Sequence, residues 1–304
     1  MIEGNAAPRV AVIGPSSWNM LVRLEQLPRP SPHTVFATSH LETLGGTSAG
    51  KALHLADLGV DVALVTVVGR DDRARRIRAA LDHPGIHTTF LEGVGASEGH
   101  LNLMTPRGER VSIYLDGSPE ASGVREAVDV AIAGASVVVC DLSAIGVAGL
   151  DRLDATGAPA WVDIHDYDGV AEFQRPFISA ADVIIMNGDG MSDPLAYLGT
   201  LVRDGLSAGV CTLGSDGAVG IVGPAAAIVR VPAVPTTVVD TNGAGDAFMA
   251  GMIAQTIRAG HPGLLRDADE LRTAMAAGAA QAVRAIGSAH LSPLLEGGRP
   301  ARRS

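Results

Sequence analysis

The chain has 304 residues, of which 47% are hydrophobic and 18% charged, a balance that excludes a disordered polymer and supplies enough apolar surface for a large core. A net charge of −10 argues against a nucleic-acid partner, which needs a basic stripe. The dense basic clusters lie at 70–76, which reads as a solvated helix face, and in the tail at 299–303. No apolar run approaches the roughly 20 residues that span a bilayer, and residues 1–7 lack the apolar core of a secretory signal; a cytoplasmic protein without a membrane partner is expected. Cys140 and Cys211 each end an apolar, strand-like run without metal-ligand spacing, as buried thiols do in a reducing compartment.

Along the chain, apolar runs and periodicities predict strands at about 9–14, 62–67, 136–140, 159–163, 182–186 and 208–213, then a hairpin over about 218–230. Helices are predicted at about 47–58, 71–82, 192–204, 245–259 and 266–286. This alternation is that of an α/β fold with a doubly wound, mostly parallel sheet flanked by helices. Two segments depart from it. Residues 17–43, with Pro28, Pro30 and Pro32, and residues 99–116, with a turn at Thr105-Pro106-Arg107-Gly108, read as extended antiparallel pieces. The expected organisation is a main domain of 1–16, 44–98 and 117–295, a small β unit of 17–43 and 99–116, and a flexible tail at 296–304.

Three stretches carry chemistry. Gly45 to Lys51 reads G-x-x-x-x-G-K, and Val137-Val138-Val139-Cys140-Asp141 reads as an apolar strand ending in a carboxylate, the two halves of a P-loop pattern. That pattern needs a Ser or Thr after the Lys to hold magnesium, where this chain has Ala52. It also needs a buried strand before the loop, and Thr38-Ser39-His40-Leu41-Glu42-Thr43 is half polar. Asp163-Ile164-His165-Asp166-Tyr167-Asp168 has the composition of a metal site, but strand alternation puts Asp163 and His165 on one side at a sheet edge, where they would orient substrate or the groups that surround it, or more simply stand in a solvated loop. The third stretch is Val238-Val239-Asp240-Thr241-Asn242-Gly243-Ala244-Gly245-Asp246-Ala247-Phe248. Gly243, Ala244 and Gly245 expose bare amides before a helix, an anion hole. Asp246 in the first turn is suited to deprotonate an acceptor hydroxyl in phosphoryl transfer. An Asp there is equally the ordinary mark of a helix N-terminus.

Asp-Thr-x-Gly-Ala-Gly-Asp followed by a small-residue helix resembles the C-terminal motif of the ribokinase-like, or PfkB, family of carbohydrate kinases. Gly45-Gly46-Thr47-Ser48-Ala49-Gly50 resembles its N-terminal Gly-Gly motif, and Thr212-Leu213-Gly214-Ser215-Asp216-Gly217 its nucleotide turn. The resemblance covers about residues 9 to 290. It implies a ribokinase-like fold whose small β-sheet is a lid that closes over the sugar and often pairs with a second subunit, giving a homodimer. It implies ATP and Mg2+, with K+ or another monovalent cation beside Asp240 and Asn242. Asp246 would be the base and Gly243, Ala244 and Gly245 the anion hole. The sugar would meet Asn19, Gly45, Gly46 and Gly50; the nucleotide would meet Asn187, Thr212, Gly214, Gly217, Ala277 and Gly278, the last two being equally explained by close helix packing.

Departures bear on the substrate. Gly50 stands where the family usually has Asn, and Asn19 where members commonly place a sugar-binding Asp. The family's Asn-x-x-Glu becomes Asn187-Gly188-Asp189-Gly190, leaving Asp189 as the substitute carboxylate for magnesium. The expected activity is therefore transfer of phosphate from ATP to a small sugar. A nucleoside kinase of the same fold and a non-catalytic sugar- or nucleotide-binding sensor are the alternatives, and Arg23, Lys51 and Arg110 would serve a phosphosugar if the fold gathered them.

Overall fold

A computed structural model describes residues 9–296; the sequence readings made on residues 1–7 and on most of the tail lie outside them. The chain runs β1 (Arg9–Ile13), β2 (Ser17–Arg23), β3 (Ser39–Gly45), α1 (Thr47–Asp57), β4 (Asp61–Val68), α2 (Asp72–Ala80), β5 (Ile86–Val94), β6 (Gly99–Met104), β7 (Arg110–Asp116), β8 (Glu120–Ala121), α3 (Val124–Ile132), β9 (Val137–Cys140), α4 (Ala144–Leu150), β10 (Ala160–Asp163), α5 (Arg175–Ala180), β11 (Val183–Asn187), α6 (Pro194–Arg203), β12 (Ala208–Thr212), β13 (Ala218–Val222), β14 (Ala227–Val231), α7 (Ala244–Arg258) and α8 (Ala268–Ile286).

Ten strands form the main sheet in the order β14-β13-β12-β11-β10-β9-β1-β4-β5-β8. Its centre is parallel, and the hairpin β13–β14 and the short β8 join antiparallel at its edges. Strands of Val, Ile and Ala are buried on both faces, so alternate residues feed two cores. Val10, Val12, Val137 and Val139 pack with α1, α7 and α8. Ala11, Ile13, Val138 and Cys140 pack with α3, α4, α5 and α6. The winding reverses between β1 and β9, which are hydrogen-bonded neighbours. Such a reversal opens a crevice at the carboxyl ends of the strands, where ligands bind in sheets of this kind.

Four further strands form a second sheet in the order β3-β2-β6-β7. The sequence suggested purely antiparallel pieces here, but β2 and β6 run parallel, because the main domain's α1, β4, α2 and β5 intervene between them in the chain. The strands and helices predicted from periodicity fall within about two residues of those observed. Missed were β5 and the helices α3, α4 and α5. Helix α4 is seven residues long with Gly146 and Gly149 in it, and α5 is six residues with Pro176 in its first turn. Neither is long enough to display a helical period.

Helices α7 and α8 approach at glycines. A Cβ on Gly251 would lie 2.6 Å from the Ala277 carbonyl oxygen, and one on Gly278 would lie 2.7 Å from that of Phe248. The backbones therefore touch, and a side chain has no direction in which to relax. Gly251→Val is expected to destabilise the protein by about 1–3 kcal/mol, as overpacking does, seen as a lower melting temperature in calorimetry.

Candidate active site

Side chains from α1 and α7 meet the strand ends at the reversal point. The chain enters α1 through Gly46, whose φ is 92° and whose Cβ would lie 2.6 Å from the Pro15 carbonyl oxygen; only glycine fits that backbone and that approach. Helix α1 then presents Thr47, Ser48 and Lys51. The Ser48 hydroxyl donates to Asp141 Oδ2 at 2.6 Å, Asp141 being the residue after β9. Lys51 is fully buried, and its Nζ lies 2.8 Å from Asp141 Oδ1, 2.8 Å from Asp246 Oδ1 and 3.5 Å from Asp163 Oδ2. Nζ also donates to the Thr47 hydroxyl, which in turn donates to Asp246 Oδ1.

The P-loop pattern is accounted for by this cluster. Its lysine and its strand-end carboxylate do meet, but as a buried ion pair between α1 and the end of β9 rather than at a phosphate loop. The strand before the loop, β3, belongs to the small sheet. Asp163 points at Lys51, a group beside Asp246, and its Oδ1 accepts from the His165 backbone N–H at 3.0 Å. The strand alternation assumed for His165 fails because β10 ends at Asp163 and His165 has a φ of 52°. Among the described residues, no group of three or more His, Cys, Asp or Glu is arranged to hold a metal ion.

Helix α7 begins after Gly243, at a φ of 77° and packed on Leu291. A Cβ on Gly245 would meet nothing within 4 Å, so the helix N-terminus faces open space there. Asp246, one residue on, is 12% exposed while Lys51 is 0% exposed: the carboxylate reaches the open side and the ammonium does not. Oδ2 of Asp246 lies 2.7 Å from where a Cβ on Gly50 would stand, so the absent side chain at Gly50 is the room the carboxylate occupies. Burial pushes the Asp246 carboxyl above the usual range, and Lys51 and the Thr47 hydroxyl oppose that push while Asp163 adds to it. Burial alone would lower the lysine, but Asp141, Asp246 and Asp163 outweigh it and raise it, so Lys51 stays charged.

The remaining sequence-predicted residues divide into five groups, the last of them at Asp240 and Asn242. Asn19 and Gly45 are brought together, a Cβ on Gly45 falling 2.0 Å from Asn19 Nδ2, and Asn19 Oδ1 accepts from the His100 backbone N–H at 3.1 Å. Asn187 and Thr212 pair across the ends of β11 and β12, followed by the turn with Gly214 at φ 57° and Gly217 at φ 87°. Gly278 faces α7, as above, and Ala277 is half-buried beside it; packing explains both. Asp189 is exposed, its backbone N–H donating to Asn187 Oδ1 at 2.9 Å. At Gly190, where the family's Glu would stand, a Cβ would lie 2.0 Å from the Asp166 carbonyl oxygen, so no side chain fits.

Both carboxylate oxygens of Asp240 are engaged, Oδ1 by the Asn242 N–H at 2.8 Å and Oδ2 by Arg23 at 3.0 Å. Arg23 also donates to the Val239 carbonyl at 2.7 Å. A side-chain cation thus pairs with the carboxylate of this loop. Thr47, Asp141 and Lys51 are participants that sequence reasoning left out of the site, Lys51 having been weighed only as a cation for a phosphosugar. The signal for Lys51 was a lone lysine among Ala49, Gly50, Ala52 and Leu53 on a buried helix, which requires a buried counter-charge.

The wound sheet with its small covering sheet is the ribokinase-like α/β fold. Residues 180–293 match the pfkB family carbohydrate kinase pattern. Over 258 residues the chain is 31% identical to an ATP-dependent ribose-1-phosphate kinase of Halopiger xanaduensis, covering 81% of this chain and 84% of that one. It is 27% identical over 251 residues to an acarbose 7(IV)-phosphotransferase of an Actinoplanes species, covering 80% and 83%. The solved structure of a microbiome-derived acarbose kinase, Mak1, superposes with a TM-score of 0.79 at 26% identity over 93% of each chain. The chain belongs to the pfkB family of carbohydrate kinases and is a phosphotransferase. Among the described residues, no helix is long and apolar enough to cross a membrane.

Proposed function

We propose that this protein transfers the γ-phosphoryl group of ATP to a hydroxyl of an uncharged sugar or sugar derivative. The observation that carries this reading is Asp246, which stands at the start of α7 beside the exposed Gly245, with one carboxylate oxygen pinned and the other lying over Gly50. The acceptor hydroxyl gives its proton to Asp246 as its oxygen attacks phosphorus, and the amides of Gly243, Ala244 and Gly245 receive the charge that develops on the transferring group. ATP lies along the turn from Thr212 to Gly217. Magnesium carried with the phosphates suits the exposed Asp189 carboxylate, a hard oxygen donor at the strand ends, and would neutralise phosphate charge.

An uncharged acceptor is favoured because two of the three cations weighed for a phosphosugar are committed elsewhere, while Arg110 stands exposed on β7. Lys51 is sealed among carboxylates and Arg23 is tied to Asp240 and Val239. Asn19 and Asn102, buried on β2 and β6 of the small sheet, are amides suited to a neutral sugar. This sheet, from 17–43 and 99–116, acts as the lid that excludes water during transfer. On β7, Val111, Ile113 and Leu115 are exposed along one face, which suits pairing with a second copy in a homodimer. The two cysteines are free and buried, in keeping with a cytoplasmic protein.

The test is ADP release from magnesium-ATP against neutral pentoses, ketohexoses, acarbose, sugar acids, phosphosugars and nucleosides. Release is expected with neutral sugars or oligosaccharides and at least tenfold less with phosphosugars, a margin set by one unpaired buried charge. Release with nucleosides alone would move the reading to a nucleoside kinase, and ATP binding without release to any acceptor would move it to a sensor. Light scattering at micromolar concentration is expected to give a dimer mass; a monomer removes the lid pairing.

A further inference from the structure

Three buried titratable groups, Lys51, Asp141 and Asp163, have no part in the transfer as described, yet Lys51 contacts Asp246, and Asp141 and Asp163 both contact Lys51. Burying an ammonium among carboxylates costs several kcal/mol per ion before pairing, and α1 could be packed at that position by an apolar side chain of similar length. What the charged arrangement adds is direction. Asp141 is fixed by the Ser48 hydroxyl and Asp163 by the His165 backbone N–H. These two anchors place Lys51 Nζ where it donates to Asp246 Oδ1 at 2.8 Å and to the Thr47 hydroxyl. Thr47 donates to the same Oδ1. All the donors that reach Asp246 from α1 therefore take one oxygen, and Oδ2 is left over Gly50.

The geometry points to Lys51 as a positioning residue for phosphoryl transfer: anchored by Asp141 and Asp163, it holds Asp246 as a carboxylate through Oδ1 and leaves Oδ2 to take the acceptor's proton. This rests on Asp246 being the base. In the step itself the acceptor O–H proton passes to Oδ2, the acceptor oxygen bonds to the γ-phosphorus, and the bond from that phosphorus to the bridging oxygen breaks, ADP leaving with the electron pair. Lys51 is sealed from solvent and touches neither phosphate nor acceptor.

The charged groups facing Asp246 are Lys51 from α1, Asp141 after β9 and Asp163 at the end of β10, with His165 behind Asp163. Two of the neighbours are anions, and Lys51 supplies the opposing charge. Removing it must raise the pH at which Asp246 ionises, by about 1–3 pH units for an opposite charge at this distance. Carbon-13 NMR of the Asp side-chain carboxyls, with Asp246 assigned by Asp246→Asn, reads this without any acceptor.

In the wild-type protein Asp246 is expected to be ionised at neutral pH despite its burial; titration above about pH 7 overturns the proposal. In Lys51→Met the midpoint is expected to rise as stated, and an unmoved midpoint overturns it. Should that variant fail to fold, Thr47→Val, which keeps every charge, is expected to raise the midpoint by a smaller amount. Lys51→Arg is expected to hold the midpoint near wild type while turnover falls, since a planar guanidinium cannot repeat the ammonium's contacts. An active Asp246→Asn enzyme sinks the base reading; an inactive one alongside an unmoved Lys51→Met midpoint sinks the role of Lys51 alone.

Discussion

Asp246→Asn should lower turnover by about 10²–10⁴-fold, the usual contribution of a general base, with ATP affinity and melting temperature close to wild type. The amide is nearly isosteric, so the α7 N-terminus and its open turn are retained. Lys51 keeps Asp141 and Asp163 as partners, so the substitution leaves no lysine unpaired. The change therefore isolates proton acceptance. The measurement is steady-state kinetics with the best acceptor from the ADP-release panel, paired with calorimetric ATP binding. Undiminished turnover removes Asp246 from the role, whereas loss of ATP binding would mean that the anion turn itself had been disturbed.

Gly50→Asn, which installs the residue the family usually carries, should cost this protein about 10²-fold in kcat, the price of a catalytic group misplaced by about 1 Å. The new Cβ would stand 2.7 Å from Asp246 Oδ2 and 3.1 Å from its Cβ and Cγ. A loosely held side chain would swing away at little cost, but Lys51 and Thr47 pin Oδ1. Asn is a somewhat better helix residue than Gly by a few tenths of a kcal/mol, too little to offset such a contact. The KM for ATP should hardly change, since the nucleotide turn lies beyond β12. Unchanged kcat would mean that Asp246 is free to move and that Gly50 is a tolerated variation.

Both predictions depend on how much could be read before folding. The apolar runs that become β1, β4, β9, β11 and β12 are buried on both faces, and a run of Val and Ile between turn residues has few other destinations. The turn from Asp240 to Asp246 was legible because glycines next to a helix start have a narrow physical use. Asp163 and His165 do not share a side, because a positive φ at His165 broke the alternation, while Asp166 and Asp168 stand exposed as in a solvated loop. Short α4 and α5 escaped because period detection needs more than two turns.

The sequence by itself determined the alternation of strands and helices, the two-sided burial of the sheet, and the position of a glycine turn at a helix start with a carboxylate after it, since these depend on neighbours in the chain. The tertiary structure alone decided what that carboxylate touches. Thr47, Lys51, Asp141, Asp163 and Asp246 come from two helices and the ends of two strands, and ion pairing falls off within a few ångströms. Their partnership exists only where the fold makes those four chain segments meet.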